Sequence, residues 1–302
     1  MDAGASGSEK NKFMIITKLQ GGLGNQLFQY AIGKNLALKN NTELKLDISY
    51  YNIYHDRIYS LNNFNITENI ATSKEIKYFS RFQKNHKKII GKIYNFLFAD
   101  EKKYIKEKQF NFDQDAANCQ CPVYLDGFWQ TEKYFNNIEK ILRKEFTLKS
   151  EPTEQTKDWI KKINGLNSVS IHIRRGDYVK DEKTNQCHGA CGLSYYNEAI
   201  KIISQKTANP TFFIFSDDIE WAKNNLNTEY STFFVSDSNI PDYEEIIIMS
   251  QCQHNIIANS SFSWWAAWLN NNDNKIVISP EKWFETKKMN TIDIVPETWI
   301  KI

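Results

Sequence analysis

Apolar and polar positions follow two different periods along this chain, and the two take turns. Between Ser168 and Arg174 the run Ser-Val-Ser-Ile-His-Ile-Arg alternates residue by residue. That spacing predicts a strand with Val169, Ile171 and Ile173 on one face and Ser170, His172 and Arg174 on the other. A helical period follows over residues 194–205, and the alternation then repeats. Strands are predicted at 211–215, 232–235, 254–258 and 275–279, with helices at 219–226, 243–250 and 260–269 between them. Strands alternating with helices predict a parallel sheet covered on both faces. Near the N-terminus, a strand at 13–18 runs into the glycine-rich Gln20–Gln26, then a helix from about 27 to 39 and a strand at 42–48. This strand, glycine loop, helix and strand open a Rossmann-like half, which a strand at 123–125 and a helix at 137–146 complete.

Two stretches interrupt the pattern. Residues 50–113 are rich in Asn, Lys and Tyr and read as an insertion; their basic part, 81–92, predicts solvated helix faces, with contact to anionic lipid as the alternative. Pro152 and its polar neighbours mark a junction. The expected organisation is a flexible lead at 1–12, a first domain at 13–150 and a second at 151–302. No internal repeat is present.

Composition narrows the class. A chain of 302 residues suits one large domain or two of about 150 residues. A net charge of +2 is too mild for a nucleic-acid binder. No apolar run reaches the roughly 18 residues a membrane span needs, and the first residues lack the apolar core of a signal peptide. Five cysteines, odd in number and unevenly placed, suit a reduced, cytoplasmic protein. Cys187, His188 and Cys191, with Cys119 and Cys121, are the alternative zinc set, but they lack the paired spacing of structural sites, and loop cysteines are the expectation.

Candidate chemistry falls after strands and before helices. Gly21-Gly22-Leu23-Gly24 lets backbone amides approach a ligand at a helix start. Asn25 and Gln29 lie four apart on that helix, placed to hold sugar hydroxyls or to cap the turn. Arg174 and Arg175 at a strand's end match a diphosphate bidentately, an ion pair with a neighbouring carboxylate being the plainer reading. Ser216-Asp217-Asp218 starts a helix, where Asp217 reads most simply as a cap. Asn259-Ser260-Ser261-Phe262-Ser263 offers hydroxyls and free amides to anionic oxygens, or an ordinary serine cap. Trp264, Trp265 and Trp268 at helical spacing predict a core stripe. Arginines and a serine-rich helix start together suit a diphosphate without a metal, and hence a nucleotide-sugar.

These residues resemble a known family. His172-Ile-Arg-Arg-Gly-Asp177, Gly21-Gly-Leu-Gly-Asn-Gln-Leu-Phe-Gln-Tyr30, Ser216-Asp-Asp218 and Asn259-Ser-Ser-Phe-Ser-Trp-Trp265 are similar to motifs of the bacterial α-1,2-fucosyltransferases, glycosyltransferase family 11. Gly127-Phe-Trp-Gln-Thr-Glu-Lys-Tyr-Phe135 and His188-Gly-Ala-Cys-Gly-Leu-Ser-Tyr-Tyr196 extend the likeness, which keeps its order from about Ile15 to Trp299. The resemblance implies an α/β, GT-B-like fold, two Rossmann-type domains with parallel sheets facing across a cleft. It implies GDP-β-L-fucose as donor, a β-galactoside oligosaccharide fucosylated at O2, and inverting transfer with no cofactor or metal. Arg174 and Arg175 would hold the diphosphate with Ser260 and Ser261. Asp217, Asn259, Phe262, Gly22, Gly24 and Asn25 join the donor contacts, and Gln29, Asp126, Trp129, Gln130, His188 and Tyr195 the acceptor side. Arg175, Asp177 and His172 are the expected catalytic residues. The base is sought among His172, Asp177, Asp126 and His188, with Asp177 preferred. A bacterial enzyme at the inner face of the membrane, in peripheral contact with a glycolipid acceptor, fits O-antigen synthesis. An α-1,6-fucosyltransferase-like enzyme and a non-catalytic nucleotide- or glycan-binding module are the alternatives.

Overall fold

The computed structural model describes residues 14–55, 57–82, 103–176, 179, 185–187, 189–237, 239–286 and 289–302. The expected lead at 1–12 and most of the basic stretch at 81–92 lie outside them. The chain divides into two compact units, Met1–Phe146 and Thr147–Ile302.

In the first unit, β1 (Met14–Lys18) leads into α1 (Leu23–Lys39) and β2 (Glu43–Asp47). The short α2 (Ser49–Ile53), α3 (Ser73–Ser80), β3 (Tyr104–Lys106), α4 (Gln114–Ala117), β4 (Val123–Asp126) and α5 (Glu139–Glu145) follow. The sheet is four-stranded and parallel in the order β2-β1-β4-β3, with Ile15 facing both Leu44 and Val123. Met14, Ile15, Ile16 and Thr17 are all buried, as a parallel strand covered on both faces requires. The stretch 50–113 supplies the edge strand β3 of this sheet. Helix α1 starts four residues before the expected 27, because the Gly22 carbonyl already accepts the amides of Asn25 (3.0 Å) and Gln26 (3.2 Å). It is buried almost all round, Gln26, Gln29 and Asn35 included. Buried amides must find partners, and these three tie the helix to neighbouring chain. Asn35, for example, donates to the Tyr134 carbonyl (2.6 Å).

The second unit contains α6 (Glu154–Asn164), β5 (Ser168–Ile173), α7 (Leu193–Lys206), β6 (Thr211–Ser216), α8 (Ile219–Asn225) and β7 (Thr232–Phe234). It continues with α9 (Asp242–Ser250), β8 (His254–Ile256), α10 (Ser261–Leu269), β9 (Val277–Ser279) and β10 (Ile300–Lys301). Its six strands are parallel in the order β10-β9-β8-β5-β6-β7. Counted from β5, that is 6-5-4-1-2-3, the doubly wound Rossmann order. Val169, Ile171, Ile173, Phe212, Ile214 and Ile256 pack under Tyr196, Ala199 and Ile203 of α7. The polar face of β5 is buried too, and its hydroxyls are matched there: Ser168 Oγ accepts the Gln253 amide (3.1 Å) and Ser170 Oγ accepts from Asn255 Nδ2 (2.7 Å). β5 ends at Ile173, so Arg174 lies beyond the strand rather than on its face. Helix α6 occupies the expected junction. Thr153 caps it through the Thr156 amide (3.3 Å) and is held by the buried Glu244, which accepts from the Thr153 hydroxyl (2.7 Å).

Candidate active site

In an open parallel sheet, ligands bind beyond the carboxyl ends of strands, where neighbouring chains leave in opposite directions. In the second unit that point lies between β5 and β8. Arg174, Arg175 and Gly176 follow β5; Asn259 and Ser260 follow β8; Asp217 and Asp218 follow β6, next door.

The register of β5 on β6 pairs Ile173 with Ser216, which sets Arg174 beside Asp217. Arg174 Nη1 lies 3.1 Å from Asp217 Oδ2, and Asp217 Oδ1 accepts the Arg175 backbone amide at 2.8 Å. One carboxylate thus fixes both arginines. The Asp217 Oδ2 would lie 2.6 Å from a Cβ on residue 176, so only glycine lets the turn come this close. The helix cap expected of Asp217 belongs to Asp218, whose Oδ1 accepts the Trp221 amide (3.2 Å). Trp221 lies under the Arg175 guanidinium, 3.8 Å from ring centroid to Cζ, a cation–π contact. Arg175 Nε lies 3.9 Å from Asp218 Oδ2. It is buried and makes no hydrogen bond.

His172, second-last in β5, is 5% exposed and tilts against Phe262, ring centroids 5.6 Å apart. Its Nδ1 is buried without a partner. Burial lowers its pKa to about 4, Asp217 pulling upward and Arg174 adding to the fall. The ring is therefore neutral at neutral pH. Ser260 caps α10 by accepting the Phe262 amide (3.4 Å), and Ser261 opens that helix. Serine hydroxyls and the amide end of α10 are thus gathered on the strand next to the arginines.

Other expected donor and acceptor residues serve the scaffold. Asn259 donates to the carbonyls of Gly189 (3.0 Å) and Trp283 (3.2 Å). Tyr195 donates to the Ile257 carbonyl (2.6 Å). Both border a cavity of about 270 Å³, with Cys191, Pro280 and Glu285 among its other walls. Asp177 and His188 lie outside the described residues.

In the first unit β1 and β4 are neighbours, and the glycine loop and the Gly127 turn follow them. Here Gly21, not Gly22 or Gly24, takes the left-handed conformation, with φ 77°. A side chain on it would also meet Asn25 Nδ2, 2.7 Å from its Cβ. Gln29, expected to face the acceptor, is engaged by backbone at both ends: it accepts the Gln20 amide (3.0 Å) and donates to the Gly127 carbonyl (3.1 Å). Gln130 Nε2 donates to Asn25 Oδ1 (2.7 Å), while its Oε1 is buried and unpartnered. Trp129 is fully buried, again with no partner for its Nε1. Asp126 accepts from Lys18 Nζ (3.2 Å) and Tyr104 OH (2.8 Å).

Sequence reasoning missed Trp221 and Glu245. The Asp-x-x-Trp spacing at the start of α8 was the available signal for the first. Glu245 on α9 accepts from Ser236 Oγ, which in turn accepts the Ser216 amide (2.8 Å), so it supports the turn carrying Asp217. Burial raises its pKa to about 7, Ser236 opposing and Asp242 and Asp217 adding. Among the described residues, no cluster of three or more His, Cys, Asp or Glu side chains is placed to hold a metal, and no helix is long and apolar enough to cross a membrane.

Topology and site together define a doubly wound α/β protein with an arginine pair at the switch point of its second sheet. The chain belongs to glycosyl transferase family 11, whose model matches residues 14–302. It is 37% identical over 300 residues to an alpha-1,2-colitosyltransferase of Escherichia coli, covering 96% of this chain and 99% of the relative. The O-antigen biosynthesis glycosyltransferase WbnK of Escherichia coli is 33% identical over 303 residues, with 94% and 99% covered. Among solved structures, a mutant of Arabidopsis thaliana FUT1 in complex with GDP shares the fold at a TM-score of 0.52. Their identity is 11%, over 94% of this chain and 73% of that one.

Proposed function

We propose that this glycosyltransferase moves L-fucose from GDP-β-L-fucose to O2 of a terminal β-galactose, with inversion and without a metal, in a GT-B arrangement. The observation that carries this reading is the Asp217 bridge, which fixes two guanidiniums at the switch point and leaves Arg175 Nε buried without a hydrogen-bond partner. A buried donor without a partner calls for an absent acceptor, and a diphosphate oxygen suits it. As the bond from fucose C1 to the β-phosphate oxygen breaks, negative charge collects on the departing GDP and positive charge on the ring. Arg174, Arg175, the Ser260 and Ser261 hydroxyls and the amide end of α10 meet the first of these. Because they are already fixed, they need no reorganisation as charge develops. The acceptor O2 attacks from the opposite face and loses its proton to a base or to water. Asp177 remains the preferred base; His172 is neutral, but burial disfavours its protonated form, which makes it the weaker candidate. In the first unit, the unpartnered Gln130 Oε1, on the turn that follows β4, suits an acceptor hydroxyl. An O-antigen-type glycan, met in the cytoplasm at the membrane's inner face, is the expected acceptor.

The 37% identity to an alpha-1,2-colitosyltransferase favours one second reading, GDP-colitose as donor. Colitose is fucose without its 3-hydroxyl. A site that hydrogen-bonds that hydroxyl rejects the deoxy sugar by roughly 10⁴–10⁵, whereas an apolar pocket rejects the extra hydroxyl by only about 10². GDP release should therefore be measured in EDTA with each donor, against a panel of β-galactosides. Acceptor-dependent release from GDP-fucose, with an α-1,2 linkage by NMR, is the expected result. Faster release from GDP-colitose transfers the assignment to that donor. GDP binding without turnover on any acceptor leaves a binding module.

A further inference from the structure

We propose that Glu107 is a positioning residue for the acceptor: it clamps the Gly127–Gln130 turn at the carboxyl end of β4 and thereby sets Trp129 and Gln130. This rests on the reading of the first unit as the acceptor side. The backbone explains why a clamp is needed. Trp129 has φ 58°, a left-handed conformation that a bulky residue adopts only when its surroundings impose it. Glu107 imposes it with both carboxylate oxygens. Oε2 accepts the Phe128 amide at 2.6 Å and Oε1 the Trp129 amide at 2.9 Å. Its own backbone amide donates to the Asp126 carbonyl (2.9 Å), so the clamp is anchored on the strand it serves. A Cβ on residue 127 would strike the Glu107 side chain, which accounts for the glycine there.

The clamped turn carries the groups left without partners. Gln130 reaches Asn25 of the glycine loop (2.7 Å) and keeps Oε1 unpartnered; Trp129 is fully buried with Nε1 unpartnered. The Gly127 carbonyl is held from the other side by Gln29 (3.1 Å). The turn is therefore fixed on both flanks.

Each oxygen of Glu107 accepts one amide, and both accept at full strength only while the carboxylate is charged. Burial raises Glu107 to about 7, the two amides opposing and Asp126 adding. Asp126, the charged group facing it, is paired with Lys18 of β1 and Tyr104 of β3. Above about pH 7 the clamp is complete. As pH falls through 7, one oxygen becomes a hydroxyl, a weaker acceptor than a charged carboxylate oxygen, and one amide is held less well. Glu107→Gln reproduces that state at every pH.

The test compares full-length wild type and E107Q across pH 5.5–8.5. The readouts are acceptor KM, β-galactoside affinity by NMR titration without donor, GDP affinity, and hydrogen exchange at the Phe128 and Trp129 amides. The wild type should lose roughly tenfold in acceptor affinity, one hydrogen bond's worth, as pH falls through 7. E107Q should show the weak, pH-flat limit, with faster exchange at the two amides and unchanged GDP affinity. Wild-type acceptor affinity in E107Q overturns the proposal, and so does equal loss of GDP binding. If E107Q does not fold, a pH-flat acceptor affinity in the wild type overturns it alone. Absence of any galactoside binding by the wild type removes the acceptor reading itself, a different failure from an E107Q that binds normally.

Discussion

At the scale of single residues, the site turns on which of two adjacent aspartates does what. Asp217 and Asp218 are equally able to reach a helix-start amide, and no local rule separates them. The separation comes from the β5–β6 register, which sets Ile173 against Ser216 and so delivers Arg174 to Asp217 while Asp218 caps α8. The arginine pair was legible because strand, turn glycine and guanidiniums are contiguous; its carboxylate partner, 42 residues on, was not. Arg175 offers an unpartnered donor, and Arg174 is already engaged. Arg175→Ala should therefore lower turnover by on the order of 10²–10³, more than it weakens GDP binding. Near-normal turnover under donor saturation would remove the arginine from catalysis. Asp217→Asn should also slow the enzyme, since it frees Arg174 from its anchor, and single-turnover rates read this directly.

At the scale of elements, the sequence pattern served best where burial is complete. Strands β5 to β9 of the second unit and the helices between them stand within a few residues of expectation, because an apolar run or a clean helical period needs no distant partner to be recognised; β10, beyond the expected last strand at 275–279, is only Ile300–Lys301. Among the elements that escaped, β3, α6 and the first turn of α1 did so for plain physical reasons. Strand β3 is only Tyr104–Lys106, too short to show a period. Helix α6 buries only Thr156 and Ile163, so its polar character hid it. The first turn of α1 is Leu-Gly-Asn-Gln, whose buried polar groups bond to neighbouring backbone rather than pack. The helical spacing of the tryptophans in α10 predicts core, and Trp264 and Trp265 are fully buried. Trp264 meets Trp265 edge-on at 5.1 Å and Trp299 at 5.5 Å, and its Nε1 donates to the Ile294 carbonyl (2.8 Å). Trp264→Ala removes that packing and leaves the carbonyl unpaired. It should cost about 3–5 kcal/mol, seen as a lower denaturant midpoint with little change in slope. Since α10 presents Ser260 and Ser261, GDP affinity should fall with it. A midpoint within error of the wild type would mean the cluster collapses around the gap.

At the scale of the whole molecule, strand order could not be read from the sequence, since a pattern of alternating elements fits several parallel sheets. Only the pairing of β5 with β8 creates the switch point that gathers the motifs. The same gathering buries titratable groups, and their opposing shifts shape stability. His172 is lowered from 6.5 to about 4: its contribution is complete above 6.5 and is lost as pH falls through about 4. Glu107 and Glu245 are raised from 4.5 to about 7: their contributions are complete below 4.5 and are lost as pH rises through about 7. Between about 4.5 and 6.5 one group gains with pH while two lose, and between 6.5 and 7 only the losses remain. From these groups, unfolding free energy should decline from about pH 4.5 to 7 and level off above it. Glu245→Gln, which cannot ionise, should flatten part of that decline. GDP at 100 times its dissociation constant should raise the whole curve by about 2.7 kcal/mol. Denaturant titrations at pH 5, 6, 7 and 8, with and without GDP, measure all three. If E245Q tracks the wild type in slope, the carboxyl is ionised without cost in the folded protein, and its support of the Asp217 turn is then independent of pH.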